Sequence, residues 1–153
     1  MHTVDKLIRQ TYEASFILQE AKDSQTKKAL LFLARLLVER SPVLLKANEK
    51  DLAKLSPDDP KRDRLLLNEA RIRNIAAALK TIASLPCPSG KRLEEKVLPN
   101  GLNLQRHTAP LGVVGVIYES RPNVTFDIAA LCLRSKNACL LKGSRDADET
   151  NKA

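Results

Sequence analysis

Aromatic side chains are nearly missing from this sequence. Three Phe and two Tyr stand among 153 residues, and there is no Trp. That is too few for a surface that stacks nucleic-acid bases. Histidine is as scarce, with only His2 and His107, and the spacing of Cys87, Cys132 and Cys139 matches no zinc pattern. An odd cysteine count also argues against a disulfide framework, so neither a metal site nor a disulfide-stapled secreted domain is expected. Long apolar runs are lacking too. A bilayer span needs roughly 18–20 apolar residues, and the longest greasy patch, Ala29 to Ala34, is interrupted by Arg35. The N-terminus has no basic-then-apolar order of a secretory signal. The expected location is cytoplasmic, with no membrane partner.

What is present is charge and enough apolar surface for a core. Charged residues make up 29% and hydrophobic residues 43%, and the net charge is +8. Such a balance favours anionic partners, either a phosphorylated small molecule or RNA. The basic residues are scattered along the predicted helices and interleaved with acids, which is the pattern of a solvated surface. No nucleic-acid partner is expected.

Three segments differ in character. Residues 1–85 read as a helical region. Val4, Leu7, Ile8, Phe16, Ile17 and Ala21 recur mostly at three- and four-residue steps, giving an amphipathic helix. Ser24 is a candidate N-cap for a helix over 25–39. Ser41-Pro42 restarts one, with Leu45, Asn48 and Leu52 on its inner face. Ser56 to Pro60 is a break. Asn68 is placed to cap a helix from Glu69 to Ser84 that buries Ile72, Ile75, Ala76 and Leu79. Residues 86–109 form a linker and a β-hairpin: strands over 93–98 and 102–108 flank the turn signal Pro99-Asn-Gly101.

Residues 110–153 alternate strand and helix. Val113 to Tyr118 is a continuous apolar run, as in a strand buried on both faces. Pro122 opens a helix that should carry Ile128, Leu131 and Cys132 inward. Ala138 to Leu141 is a second strand, and another helix starts near Asp146. This order implies a right-handed parallel unit, whose ligands bind beyond the carboxyl ends of the strands. The polar loops at 119–123 and 142–145 lie there. Glu119, Ser120, Arg121 and Asn123 put a carboxylate, a hydroxyl, a guanidinium and an amide on one strand-to-helix turn. Two parallel strands make an incomplete sheet, so the chain is expected to be the front portion of a longer protein.

The run PLGVVGVIYESRPNVTFDIAALCLRSKNACLLKGSRDADETN resembles the gamma-glutamyl phosphate reductases, also called glutamate-5-semialdehyde dehydrogenases, of the aldehyde dehydrogenase superfamily. The resemblance implies an α/β fold: N-terminal helices, a hairpin of the oligomerisation type and the start of a Rossmann-like parallel sheet. It also implies NADPH-dependent reduction of L-glutamyl 5-phosphate to L-glutamate 5-semialdehyde with release of phosphate, a step of proline synthesis. The family's nucleophile is a cysteine thiolate on a later domain, and covalent catalysis of this kind divides one hard step into two. None of the three cysteines here matches it.

The resemblance implies site residues as well. Lys142 matches a superfamily lysine that hydrogen-bonds the adenosine ribose, in the loop Lys142-Gly143-Ser144-Arg145. Arg145 stands where NAD-preferring members often carry an acid, and a guanidinium there suits the 2′-phosphate of NADPH. Asn123 is a candidate donor to the developing oxyanion, and Arg121 a candidate for the substrate's phosphate or carboxylate. The bland alternatives are that Glu119 and Arg121 pair with each other, that Asn123 caps the helix, and that Lys142 and Arg145 form a solvated basic loop. Lys136 stands where the family usually has Gly, at an expected left-handed C-cap, at a cost of roughly 1 kcal/mol unless Asn137 takes that conformation. The family implies a homo-oligomer. The other reading of the whole chain is a catalytically incomplete nucleotide-binding or assembly module of the same family.

Overall fold

The computed structural model describes residues 3–119 and 121–153; Ser120, the expected loop hydroxyl, and His2 lie outside them. Five helices come first. α1 (Thr3–Glu20) and α2 (Asp23–Glu39) are followed by α3 (Ser41–Leu52), α4 (Lys61–Leu65) and α5 (Glu69–Ser84). The start of α2 lies one residue before Ser24, because Gln25 takes over the capping: its side-chain oxygen accepts from the Lys22 N–H at 2.8 Å. α3 begins at Ser41, after Arg40, with Pro42 in the first turn, where a missing N–H costs nothing. The capping of α5 is as expected, with Asn68 Oδ1 accepting from the Arg71 N–H at 2.8 Å. The short α4 carries no periodic signal in the sequence.

The core forms where α2 lies on α5. Leu30, Ala34 and Leu37 meet Ile72, Ile75, Ala76, Leu79 and Ala83, and all are buried. Each fully buried leucine or isoleucine there contributes about 1.5–3 kcal/mol. Phe126, Ala130 and Leu133 of α6 (Pro122–Arg134) complete this core. That packing corrects one expectation. Ala130, Cys132 and Arg134 of α6 are buried on different sides of the helix, whereas Leu131 faces solvent at 51% exposure.

β1 (Arg92–Val97) and β2 (Asn103–His107) form the expected antiparallel hairpin, with Gly101 at φ +82° in its turn. Both of its faces are exposed. β3 (Val113–Ile117) and β4 (Ala138–Lys142) pair in parallel, with Val113 opposite Ala138 and Ile117 opposite Lys142. β3 is half-buried rather than covered on both faces, and Ile117 is 85% exposed. A two-stranded sheet leaves each strand an edge, so neither is enclosed. α1 packs on this sheet, but it turns Val4, Leu7, Ile8, Tyr12, Phe16 and Ile17 outward. Its period was legible and its facing was not. A 3-10 turn (Arg145–Ala147) and α7 (Asp148–Lys152) end the chain.

Three buried polar side chains bind distant parts of the chain together. Arg134 donates to the Leu85 carbonyl at 2.7 Å, to Thr26 Oγ1 at 3.2 Å and to the Asp23 carboxylate. That bond from Arg134 holds the Asp23 carboxyl below its ordinary value. Asp51, with no exposed surface, accepts from the Thr150 N–H and hydroxyl, both at 2.8 Å, from the Glu149 N–H at 3.2 Å and from Lys54 at 2.8 Å. Burial alone would raise its carboxyl, but the bonds from Lys54 and Thr150 outweigh burial and lower it. Beside it, Asn48 accepts from the Leu67 N–H at 2.7 Å and donates to the Leu65 carbonyl at 2.9 Å and to Thr150 Oγ1 at 3.2 Å.

Asp51→Ala strands two amide donors and a hydroxyl. It should cost about 2–3 kcal/mol in denaturant unfolding at neutral pH. Because the folded-state pKa is lowered, this contribution is complete above the ordinary value of 3.8. It is lost as pH falls through the lowered value, so the difference between wild type and variant should shrink there.

Lys136 takes the left-handed conformation at φ +61°, in place of Asn137. Its ammonium reaches the Gln19 carbonyl at 3.1 Å, an exposed contact. Lys136→Gly relieves the left-handed penalty and should stabilise the fold by about 0.5–1 kcal/mol. A rise in melting temperature checks it.

Candidate functional site

The carboxyl ends of β3 and β4 deliver two loops side by side. The Tyr118 N–H donates to the Lys142 carbonyl at 3.1 Å, one step beyond the last strand pair. The Tyr118 hydroxyl bonds Thr125 Oγ1 at 2.6 Å, and Thr125 Oγ1 donates to Asn151 Oδ1 at 3.3 Å. Gly143 fits beneath this cluster for lack of a side chain. A Cβ there would lie 2.5 Å from Asn151 Nδ2 and 3.2 Å from the Tyr118 hydroxyl. The loop after β4 is therefore wedged against Tyr118 and the Asn151 side chain of α7.

Four of the six expected site residues sit in that loop. Lys142 is exposed and donates to the Gly143 carbonyl at 3.2 Å. Ser144 caps the 3-10 turn, its Oγ accepting from the Asp146 N–H at 3.2 Å and donating to Asp146 Oδ2 at 3.2 Å. Asp146 also faces Lys61 at 3.6 Å. The carboxylate of the loop is thus engaged, while Lys142 and Arg145 stand exposed with no ion pair among the described residues.

Arg121 and Asn123 lie elsewhere, in a cavity of about 460 Å³ between α6 and the α4–α5 segment. Lys142 to Arg145 do not line it. The two polar loops serve adjoining regions rather than one pocket. Arg121 occupies the N-cap position of α6 and makes no side-chain capping bond. Glu119 pairs with Arg64 at 3.3 Å, not with Arg121. Asn123 stands inside the first turn and caps nothing among the described residues. Both side chains are left for the cavity.

Sequence reasoning missed the opposite wall. Arg71, Asn74, Ile75 and Ala78 of α5 line the cavity, at steps of three, one and three residues. That spacing is one helical face and was open to reading. Arg64, Asp63 and Asp127 also line it, and no local pattern marks them.

No family model matches the chain. The gamma-glutamyl phosphate reductase of Chlorobium phaeobacteroides (strain BS1) is 50% identical over 151 residues, which cover 99% of this chain and 36% of that protein. The solved structure of the Thermotoga maritima gamma-glutamyl phosphate reductase matches with a TM-score of 0.89 at 36% identity, over 94% of this chain and 36% of that one. The chain belongs to the gamma-glutamyl phosphate reductase family. It corresponds to the N-terminal portion and spans about a third of the length of the relatives it matches, 36% in the Chlorobium case. The Saccharomyces cerevisiae reductase agrees, with a TM-score of 0.87 at 29% identity over 99% of this chain and 40% of that one. The α/β fold expected from the resemblance is thereby shown, with β3–α6–β4 as its parallel strand–helix–strand unit. Among the described residues no helix is long and apolar enough to cross a membrane.

The cysteines of this reductase segment are poor nucleophiles where buried. Burial, aided by the neighbouring Cys139, pushes the Cys132 thiol up to about 11, and burial likewise raises Cys139. A thiol raised by two units holds about a hundredfold less thiolate at neutral pH. Alkylation of the native protein, followed by mass spectrometry, should therefore label Cys132 about a hundredfold more slowly at pH 7 than an unperturbed thiol. The rate should keep climbing to about pH 11.

Proposed function

We propose that this chain supplies the nucleotide loop and one wall of the substrate pocket of an NADPH-dependent glutamate-5-semialdehyde dehydrogenase. That enzyme reduces L-glutamyl 5-phosphate to L-glutamate 5-semialdehyde in proline biosynthesis. The observation that carries the reading is the pair of exposed cations without an ion pair among the described residues, Lys142 and Arg145, on the loop that Gly143 wedges against Tyr118 and α7. In this reading residues 110–153 are the first part of an NADP-binding α/β domain. Residues 1–85 are its helical cover, and 86–109 a linker and hairpin for a homo-oligomer. The exposed Leu93, Val97, Leu102 and Leu104 of the hairpin suit a strand that pairs with a second subunit. The working location is cytoplasmic.

Lys142 donates to the adenosine ribose, and Gly143 and Ser144 allow the backbone to approach it. Arg145 takes the 2′-phosphate, bidentately where geometry permits. When bound, NADPH supplies the hydride. Arg121 orients the acyl phosphate by its charge, and the Asn123 amide donates to the oxygen that gains negative charge. The nucleophilic cysteine is expected outside these residues. Because the segment is about a third of its relatives' length, the second reading is a nucleotide-binding or assembly module without chemistry.

In a full-length reductase carrying these 153 residues, Arg145→Ala should raise the NADPH KM about tenfold, as expected for loss of one charge-assisted phosphate contact. The NADH KM should barely move. Lys142→Ala should raise both. Equal effects of Arg145→Ala on the two cofactors would remove the 2′-phosphate role, and intact NADPH binding without turnover would favour the module.

A further inference from the structure

We infer that Asp127 sets the specificity of the α5–α6 cavity for a ligand that carries a free ammonium group about one amino-acyl chain length from its anionic end. The inference rests on reading that cavity as the substrate pocket.

Most charges around the cavity are already paired. Arg71 is held by the Asp63 carboxylate at 2.7 Å and by the Leu66 carbonyl at 2.8 Å. Arg64 is held by Glu119 at 3.3 Å. Two lining groups of opposite sign remain without an ion pair or side-chain hydrogen bond among the described residues: the Arg121 guanidinium and the Asp127 carboxylate. Asp127 is half-buried and lines the cavity without a partner among the described residues. Charges in that position cost stability unless something pairs with them.

Their placement gives the ligand a length. Arg121 is the N-cap of α6, and Asp127 lies six residues on. At 1.5 Å of rise per residue, the two positions are about 9 Å apart along the axis. A single α-amino acid headgroup, whose ammonium and carboxylate lie on one carbon, is too short to bridge them. A five-carbon amino-acyl phosphate is long enough, laid along the first turns of α6. Its phosphate would sit at Arg121 and its reacting carbonyl at Asn123, one turn before Asp127 on the same helical face. Its ammonium would then reach Asp127. Across the cavity the Asn74 amide is free to meet the α-carboxylate. The chemical class is an acyl phosphate of a free α-amino acid. An N-acylated analogue, which has no cation, would leave Asp127 uncompensated.

The test uses a full-length reductase carrying these 153 residues, run in reverse with phosphate and NADP+. The substrates are L-glutamate 5-semialdehyde and its des-amino counterpart, 5-oxopentanoate. Wild type should favour the amino substrate by at least tenfold in kcat/KM. Asp127→Asn should erase most of that preference by raising KM for the amino substrate, leaving 5-oxopentanoate and the NADP+ KM unchanged. Asp127→Glu should restore part of the preference. Equal losses on both substrates, or an unchanged ratio, would overturn the assignment. Should the variants fail to fold, wild-type inhibition decides. L-Glutamate inhibiting no better than glutarate overturns the inference, and stronger inhibition by L-glutamate supports it. A wild type that turns over neither aldehyde with NADP+ overturns the enzyme reading itself, and this inference with it.

Discussion

A buried carboxylate at the start of a short helix holds this structure in register. Asp51 belongs to α3, yet its oxygens accept the first amide protons of α7, nearly a hundred residues later. α7 has five residues and could not persist by helix propagation alone. Its negative partner comes from another helix, where the N-terminal dipole favours it. Asn48 extends the same cluster to the Leu65–Leu67 backbone, which forms the rim of the cavity. The end of the chain after β4 and the rim of the α5–α6 cavity thus share one polar anchor, although Lys142 to Arg145 do not line that cavity.

The division of labour between the two regions follows from the parallel pair. β3 ends in a loop that opens α6, and β4 ends in a loop that opens the 3-10 turn. Tyr118 joins them through Lys142, Thr125 and the space left by Gly143. Arg121 is thereby directed toward α5, while Lys142 and Arg145 stay on the outer side. A sequence places both loops at the same sheet edge but does not say to which side each turns.

Much of the architecture was legible in the sequence. The α5 cap at Asn68, its buried stripe, the hairpin turn at Gly101, the parallel order of the last strands and the left-handed residue before β4 all rest on local chemistry. The misses have one cause: they depend on what lies opposite. Periodicity located α1 but could not tell that its large apolar side chains face outward. Leu131 and Ala130 are both apolar, and only the position of α2 and α5 selects Ala130. Asp127, Arg64 and Arg71 belong to the cavity because two helices converge, a non-local fact that no short motif carries.

Arg134 bears on how cooperatively the chain assembles. Its acceptors lie 49, 108 and 111 positions away, at the end of α5 and the beginning of α2. Those three oxygens converge only once α2 and α5 have packed against each other. Until then α6 would bring an uncompensated guanidinium toward an apolar surface. The guanidinium is therefore compensated only when α2, α5 and α6 are all in place, so the desolvation of one interior arginine ties the helical pair and the strand–helix–strand unit into a single cooperative whole.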